Sequence, residues 1–206
     1  MLTKRIALIL LLVTLLPVPA LGSGVSGSTG LFHTPTADVM PVGVLGASIH
    51  FSEDWITAGI GYGLLDVLEI GTAVRLKGGA VAQVHPFIKG QILRETRNEP
   101  GVAAGIERNA AYVVLSKSLA PLLRGHAGVG IGERAGLFGG FSYLVNPVVQ
   151  SRPGSLEAPR ILLVGEFGGA GLNAGARLSF AQGLDINVFL RNLSEATLGA
   201  SWRTRF

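Results

Sequence analysis

From Leu45 onward, apolar residues recur at every second position with polar residues or glycine between them. Leu45, Ala47, Ile49 and Phe51 interleave with Gly46, Ser48, His50 and Ser52. After Glu53-Asp54, Ile56, Ala58, Ile60 and Tyr62 interleave with Thr57, Gly59 and Gly61. The pattern returns at 68–76, 82–92, 102–107, 127–132, 137–143, 161–167, 172–180, 184–191 and 198–206. A period of two predicts strands with one apolar face and one polar or glycine face. Tyr112 to Lys117 predicts a further strand whose two faces the residue types do not separate. The total is about twelve strands and no competing helix, which is an all-β chain.

Two barrels fit such a pattern. A soluble barrel points its apolar face inward around a ligand. A transmembrane barrel points it outward to lipid and keeps polar or small residues inside. The polar faces consist mostly of Gly, Ser, Thr and Asn, a poor coat for a water-soluble surface. Aromatics also gather near strand ends, at Phe51, Tyr62, Phe167, Phe180, Trp202 and Phe206, where interfacial girdles belong. Only 15% of the 206 residues are charged. The expected fold is therefore a transmembrane antiparallel up-and-down β-barrel over 43–206, with outer-membrane lipid as its surroundings.

The first residues agree. Lys4-Arg5 precedes an apolar run from Ile6 to Leu16, then Pro17, Pro19 and the small residues Ala20 and Gly22. That is the layout of a cleaved signal peptide over 1–22. The formal net charge of +4 includes Lys4 and Arg5, so the remainder carries +2 and gives no argument for nucleic acid. Cysteine is absent, which removes disulfides, thiolate metal sites and thiol catalysis. The sequence ends on Phe206 after an amphipathic strand. This is similar to the terminal signal read by the barrel-assembly machinery of Gram-negative outer membranes, with Thr204 where a bulkier apolar residue is commoner.

A narrower likeness follows from short segments. Gly30-Leu31-Phe32-His33-Thr34-Pro35-Thr36-Ala37 with Pro41-Val42-Gly43 resembles the N-terminal motif of the YjbH-like family of outer-membrane barrels. Tyr62 to Gly71, Leu115-Ser116-Lys117, Gly136 to Phe141 and the Glu-bearing Leu162 to Phe167 are further echoes. The resemblance implies a non-enzymatic accessory of exopolysaccharide production or export, with an anionic polysaccharide or its export machinery as partner. This chain is much shorter than the large members of that family.

Residues 23–42 contain Gly24, Gly27, Gly30, Pro35 and Pro41, which prevent a regular strand. They are expected to be either a flexible lead-in or a partial plug in the barrel mouth. With both termini periplasmic, the longer connections 94–100 and 146–159 become periplasmic, inverting the usual rule of short periplasmic turns. Either one strand is miscounted or the chain is an exception.

Inward-facing candidates are Arg75, Lys89, Arg177, Arg191, Arg203 and Arg205 against Glu69, Glu107, Glu166 and Asp185, expected mainly to pair with one another. Of the four histidines, His50 lies beside Ser52 on the polar face, near Glu53 and Asp54. These are ingredients of a hydrolytic triad without a diagnostic motif, so no catalytic, cofactor or metal residue is assigned. Besides the exopolysaccharide accessory, the sequence leaves a small passive pore for ions or small solutes, a lipid-modifying barrel enzyme and a soluble ligand-binding barrel.

Overall fold

In the computed structural model, residues 23–146, 158–168 and 171–206 are described. The leader 1–22 lies outside them. The strands are β1 (Val44–Phe51), β2 (Ile56–Leu65), β3 (Leu68–Lys77), β4 (Ala80–Leu93), β5 (Gly101–Glu107) and β6 (Ala110–Ala120). They continue with β7 (Leu123–Gly132), β8 (Gly136–Leu144), β9 (Arg160–Gly168), β10 (Gly171–Ser179), β11 (Leu184–Arg191) and β12 (Glu195–Arg205). Each pairs antiparallel with its sequence neighbours, and β1 pairs with β12 to close the barrel. The closing register runs from Val44 opposite Arg205 to Phe51 opposite Leu198, so neither strand leaves an open edge.

The hairpins follow from turn chemistry. Lys77 pairs with Ala80 across Gly78 and Gly79, whose φ angles are +59° and +84°. Two successive positive φ values make the type I′ turn whose twist suits adjoining strands, and glycine adopts them without a Cβ penalty.

The apolar face points out. Leu137, Leu172 and Leu198 are more than half exposed, as befits a surface that meets lipid. Between them, Asn173, Arg177, Asp185, Asn187 and Arg203 turn inward and are almost completely buried. Exposed aromatics stand near both ends, Phe51 and Phe167 at one and Tyr62, Phe180 and Trp202 at the other. Within β6 the division the residue types left open is clear. Tyr112, Val114 and Ser116 point inward, while Val113 and Leu115 point out.

At one end of the barrel, the turn end, the strands are joined by short hairpins. The other, the terminal end, carries the entry to β1, the finish of β12, and the connections 94–100 and 145–159. The count of twelve stands, so the longer connections share one end with the entry to β1 and the finish of β12 without any miscounted strand.

Candidate functional site

The lumen is occupied. Residues 23–41 fold into it as two compact turns, joined by bridges between Ser23 and Thr29 and between Gly30 and Pro35. Val25 N–H donates to the Phe32 carbonyl at 2.8 Å and Leu31 N–H to the Thr34 carbonyl at 2.9 Å. The segment pairs with no barrel strand as a thirteenth member. We call this lumen-filling segment the plug.

Few of the plug's backbone groups can reach a sheet ladder, and buried ones must find other partners. Two wall carboxylates supply them. Glu69 of β3 accepts from the backbone N–H of Thr29 at 2.9 Å and of Met40 at 2.7 Å, and from the Thr29 hydroxyl. Its charge is matched by Lys89 of β4 at 2.9 Å, which also donates to the Thr29 carbonyl. Glu166 of β9 accepts from the successive amides of Phe32, His33 and Thr34 at 3.1, 2.8 and 3.0 Å, and from Asn173 at 2.9 Å. Three converging N–H groups form an anion nest, here filled by the wall's own carboxylate.

Arg177 of β10 does the reverse. Its guanidinium donates to the carbonyls of Gly30, Leu31 and Ser23 at 3.2, 2.8 and 3.3 Å, while its Nε donates to Asn187 at 2.8 Å. Phe32 stacks on Phe189 of β11 with ring centroids 4.2 Å apart. Further along, Ala37 N–H donates to Ser116 Oγ at 2.8 Å and its carbonyl accepts from Gln91 at 2.8 Å. At the terminal end Arg124 of β7 forks onto Asp38 at 2.7 and 3.2 Å and also holds Glu95 at 2.7 Å. Burial disfavours charge on Asp38, but the Arg124 hydrogen bonds and charge outweigh it and hold the carboxyl below its usual value. Glu95 is lowered in the same way: burial opposes, and the Ser118 and Arg124 hydrogen bonds prevail.

Glycine makes the fit possible on β2. A Cβ at Gly59 would stand 3.0 Å from Gly27 Cα, and one at Gly61 3.0 Å from the Gly27 carbonyl oxygen. A Cβ at Gly63 would fall on the Pro41 carbonyl oxygen. The inward glycine row of this strand is the bed of the plug.

The expected mutual pairing of inward charges holds for Lys89 with Glu69 and for Arg203 with Asp185 at 2.8 Å. It fails elsewhere, where the plug takes Glu166 and Arg177 and other wall residues take the rest. Glu166 and Arg177 bind plug backbone, Arg191 pairs with Glu195, and Glu107 pairs with Arg134 at 2.8 Å. Arg205, expected inside, is exposed at the terminal rim and reaches the Val42 carbonyl at 3.4 Å. Arg75 has no carboxylate partner among the described residues and lies over the Trp55 ring, 5.4 Å from its centroid.

His50 and Ser52 do not form a dyad. Ser52 donates to the Trp55 carbonyl at 3.2 Å, while His50 Nε2 faces Asn187 at 3.4 Å. His126 accepts from or donates to Ser116 at 2.8 Å, beneath the plug. Sequence reasoning gave Arg124, Glu95 and Arg134 no role and met Ser116 only within the Leu115-Ser116-Lys117 echo; their partners lie on the plug or beside it. The available signal was a cluster of polar groups near the ends of β6 and β7.

Above the plug, a cavity of about 360 Å³ opens at the turn end. Val25, Ser26 and His33 of the plug make its floor, and Arg75, His85, Arg108 and Arg134 stand on its walls. Arg134 ties rim to plug, donating to the His33 carbonyl at 3.0 Å. Its guanidinium also covers the Tyr112 and Phe138 rings at 5.6 and 5.5 Å.

No family model and no curated protein matches the chain. Solved structures do. A KdgM porin superposes with a TM-score of 0.50 at 10% identity, covering 79% of this chain and 99% of that one. The KdgM porin in complex with disordered oligogalacturonate gives 0.51 at 10% identity, with the same coverage. The Acinetobacter baumannii outer membrane protein Omp33 gives 0.44 at 11% identity, covering 79% of this chain and 97% of that one. The two KdgM likenesses agree with the closed antiparallel barrel fold of this chain.

Proposed function

We propose that the protein is a non-enzymatic outer-membrane pore for ions or small solutes, held shut by its own residues 23–41. The carrying observation is that the obstruction is not part of the wall. It belongs to no barrel strand and is held through hydrogen bonds to Glu69, Glu166 and Arg177. Such contacts are exchangeable with water, and the wall they leave behind is polar and charged, as a conducting lumen requires.

Planar-bilayer recording tests this with the full chain and the Glu69→Gln/Glu166→Gln double variant. Wild-type protein should show rare, small openings and the double variant frequent ones. Silence in both, from barrels that still shift mobility on heating, would overturn the pore.

A second reading comes from the YjbH-like segments, which support service to exopolysaccharide production or export. Segments 30–37, 62–71 and 162–167 contain the second turn of the plug and both carboxylates that seat it. The porin solved with oligogalacturonate adds that a barrel of this fold takes an acidic glycan. Loss of secreted polysaccharide on gene deletion, restored by wild-type protein, is its test.

A further inference from the structure

We propose that the cavity at the turn end binds a small hydroxylated monocarboxylate, the class of the sugar acids, with Arg75 as the group that takes the carboxylate. A volume of about 360 Å³ suits one ring-sized molecule. The lining cations are not equivalent. Arg134 is committed to Glu107 at 2.8 Å and Arg108 faces Glu133 at 3.7 Å. Arg75 has neither a carboxylate nor a partner for its shielded Nε among the described residues.

Its position is nevertheless fixed. The guanidinium lies over Trp55, which also carries Lys77 Nζ at 5.0 Å from the ring centroid. A guanidinium placed by an aromatic face, with its fork of donors free, suits bidentate binding of a carboxylate. One uncompensated positive charge selects a monoanion over a phosphate dianion.

The rest of the lining selects hydroxyls. Gln83 and His85, bonded to each other at 3.0 Å, stand on the wall next to Arg75, and Ser26 and Thr57 add hydroxyls near the floor. Ser26 belongs to the plug, so a ligand that touches it binds the seated state and steadies it. Binding is read in detergent solution, so its failure is distinguishable from a failure to conduct.

The experiment is calorimetric titration of the full chain, folded in detergent at constant ionic strength, with glucuronate, glucose and acetate. Glucuronate should bind, with glucose and acetate each at least about tenfold weaker. Arg75→Gln should weaken glucuronate by about tenfold or more, and the exposed control Arg160→Gln should leave it unchanged. If Arg75→Gln does not fold, Arg75→Lys serves, since it keeps the charge but loses the fork. It should weaken binding several-fold. No heat from glucuronate, equal heats from acetate, or unchanged affinity in whichever Arg75 variant folds would overturn the assignment.

Discussion

Glu166 and His33, 133 positions apart in sequence, meet at 2.8 Å between a wall carboxylate and a plug amide. The same carboxylate takes the amides on either side of His33, so one side chain holds a whole turn of the plug. Hydrogen bonds to a charged acceptor are worth more than neutral ones, and their loss leaves buried N–H groups poorly served.

Glu166→Gln keeps the shape but removes the charge. The seated plug should lose about 2–3 kcal/mol relative to the released one. Channel open probability should rise while heat-modifiable migration stays as in wild type. An unchanged open probability would show that Glu166 does not hold the gate.

Gly63→Ala tests the glycine bed. The added methyl would overlap the Pro41 carbonyl, so the plug must shift where it leaves the lumen. Limited proteolysis from the terminal end should then cut within residues 23–43, which wild-type barrels protect. Gly90→Ala has only ordinary contacts at 3.8 Å and should behave as wild type.

The Arg124 latch carries a pH dependence. The folded-state values of Asp38 and Glu95 lie below their ordinary ones. Depressed carboxyls contribute stability above their unfolded values of 3.8 and 4.5, and lose it as pH falls through the lower folded values. Conductance should therefore be flat from neutrality to about pH 4.5 and rise below about pH 4. Arg124→Gln should raise the neutral-pH conductance and flatten that acid limb.

The face assignment is tested on β10. Ala176 points out near the middle of the strand, whereas Ser179 is on the inward side. Arginine at 176 should cost roughly 2–4 kcal/mol, and at 179 much less. Denaturant unfolding in lipid vesicles measures both; equal costs would reverse the faces.

Closure depends on β12. Replacing Trp202 and Phe206 with serine removes apolar anchors at the terminal rim, where Phe206 N–H donates to the Gly43 carbonyl at 2.9 Å. The variant should be secreted but accumulate unassembled, seen as loss of the heat-modifiable band.

Strand positions and faces were legible because a membrane barrel imposes a strict period of two, as in Leu172 to Leu178 against Asn173 and Arg177. The β6 faces were not, because Tyr112 and Val114 line the lumen against Phe138 and Ala37 instead of water. An inward apolar patch exists only where a plug covers it. The partners of Glu166 and Arg177 were hidden for the same reason: backbone amides and carbonyls have no sequence signature. On the wall itself, the sign that something lay close was the row of inward glycines at 59, 61 and 63.

The plug's contacts also bear on the order of assembly. The first described residues of the chain find their partners at positions 69, 116, 166 and 177, with Ser23 waiting across 154 residues for Arg177. Contacts of such long range form late, since their loop-closure entropy falls due before any reward. The plug's seat on β9 and β10 is therefore completed only as the last strands arrive, as is the closing pair of β1 and β12.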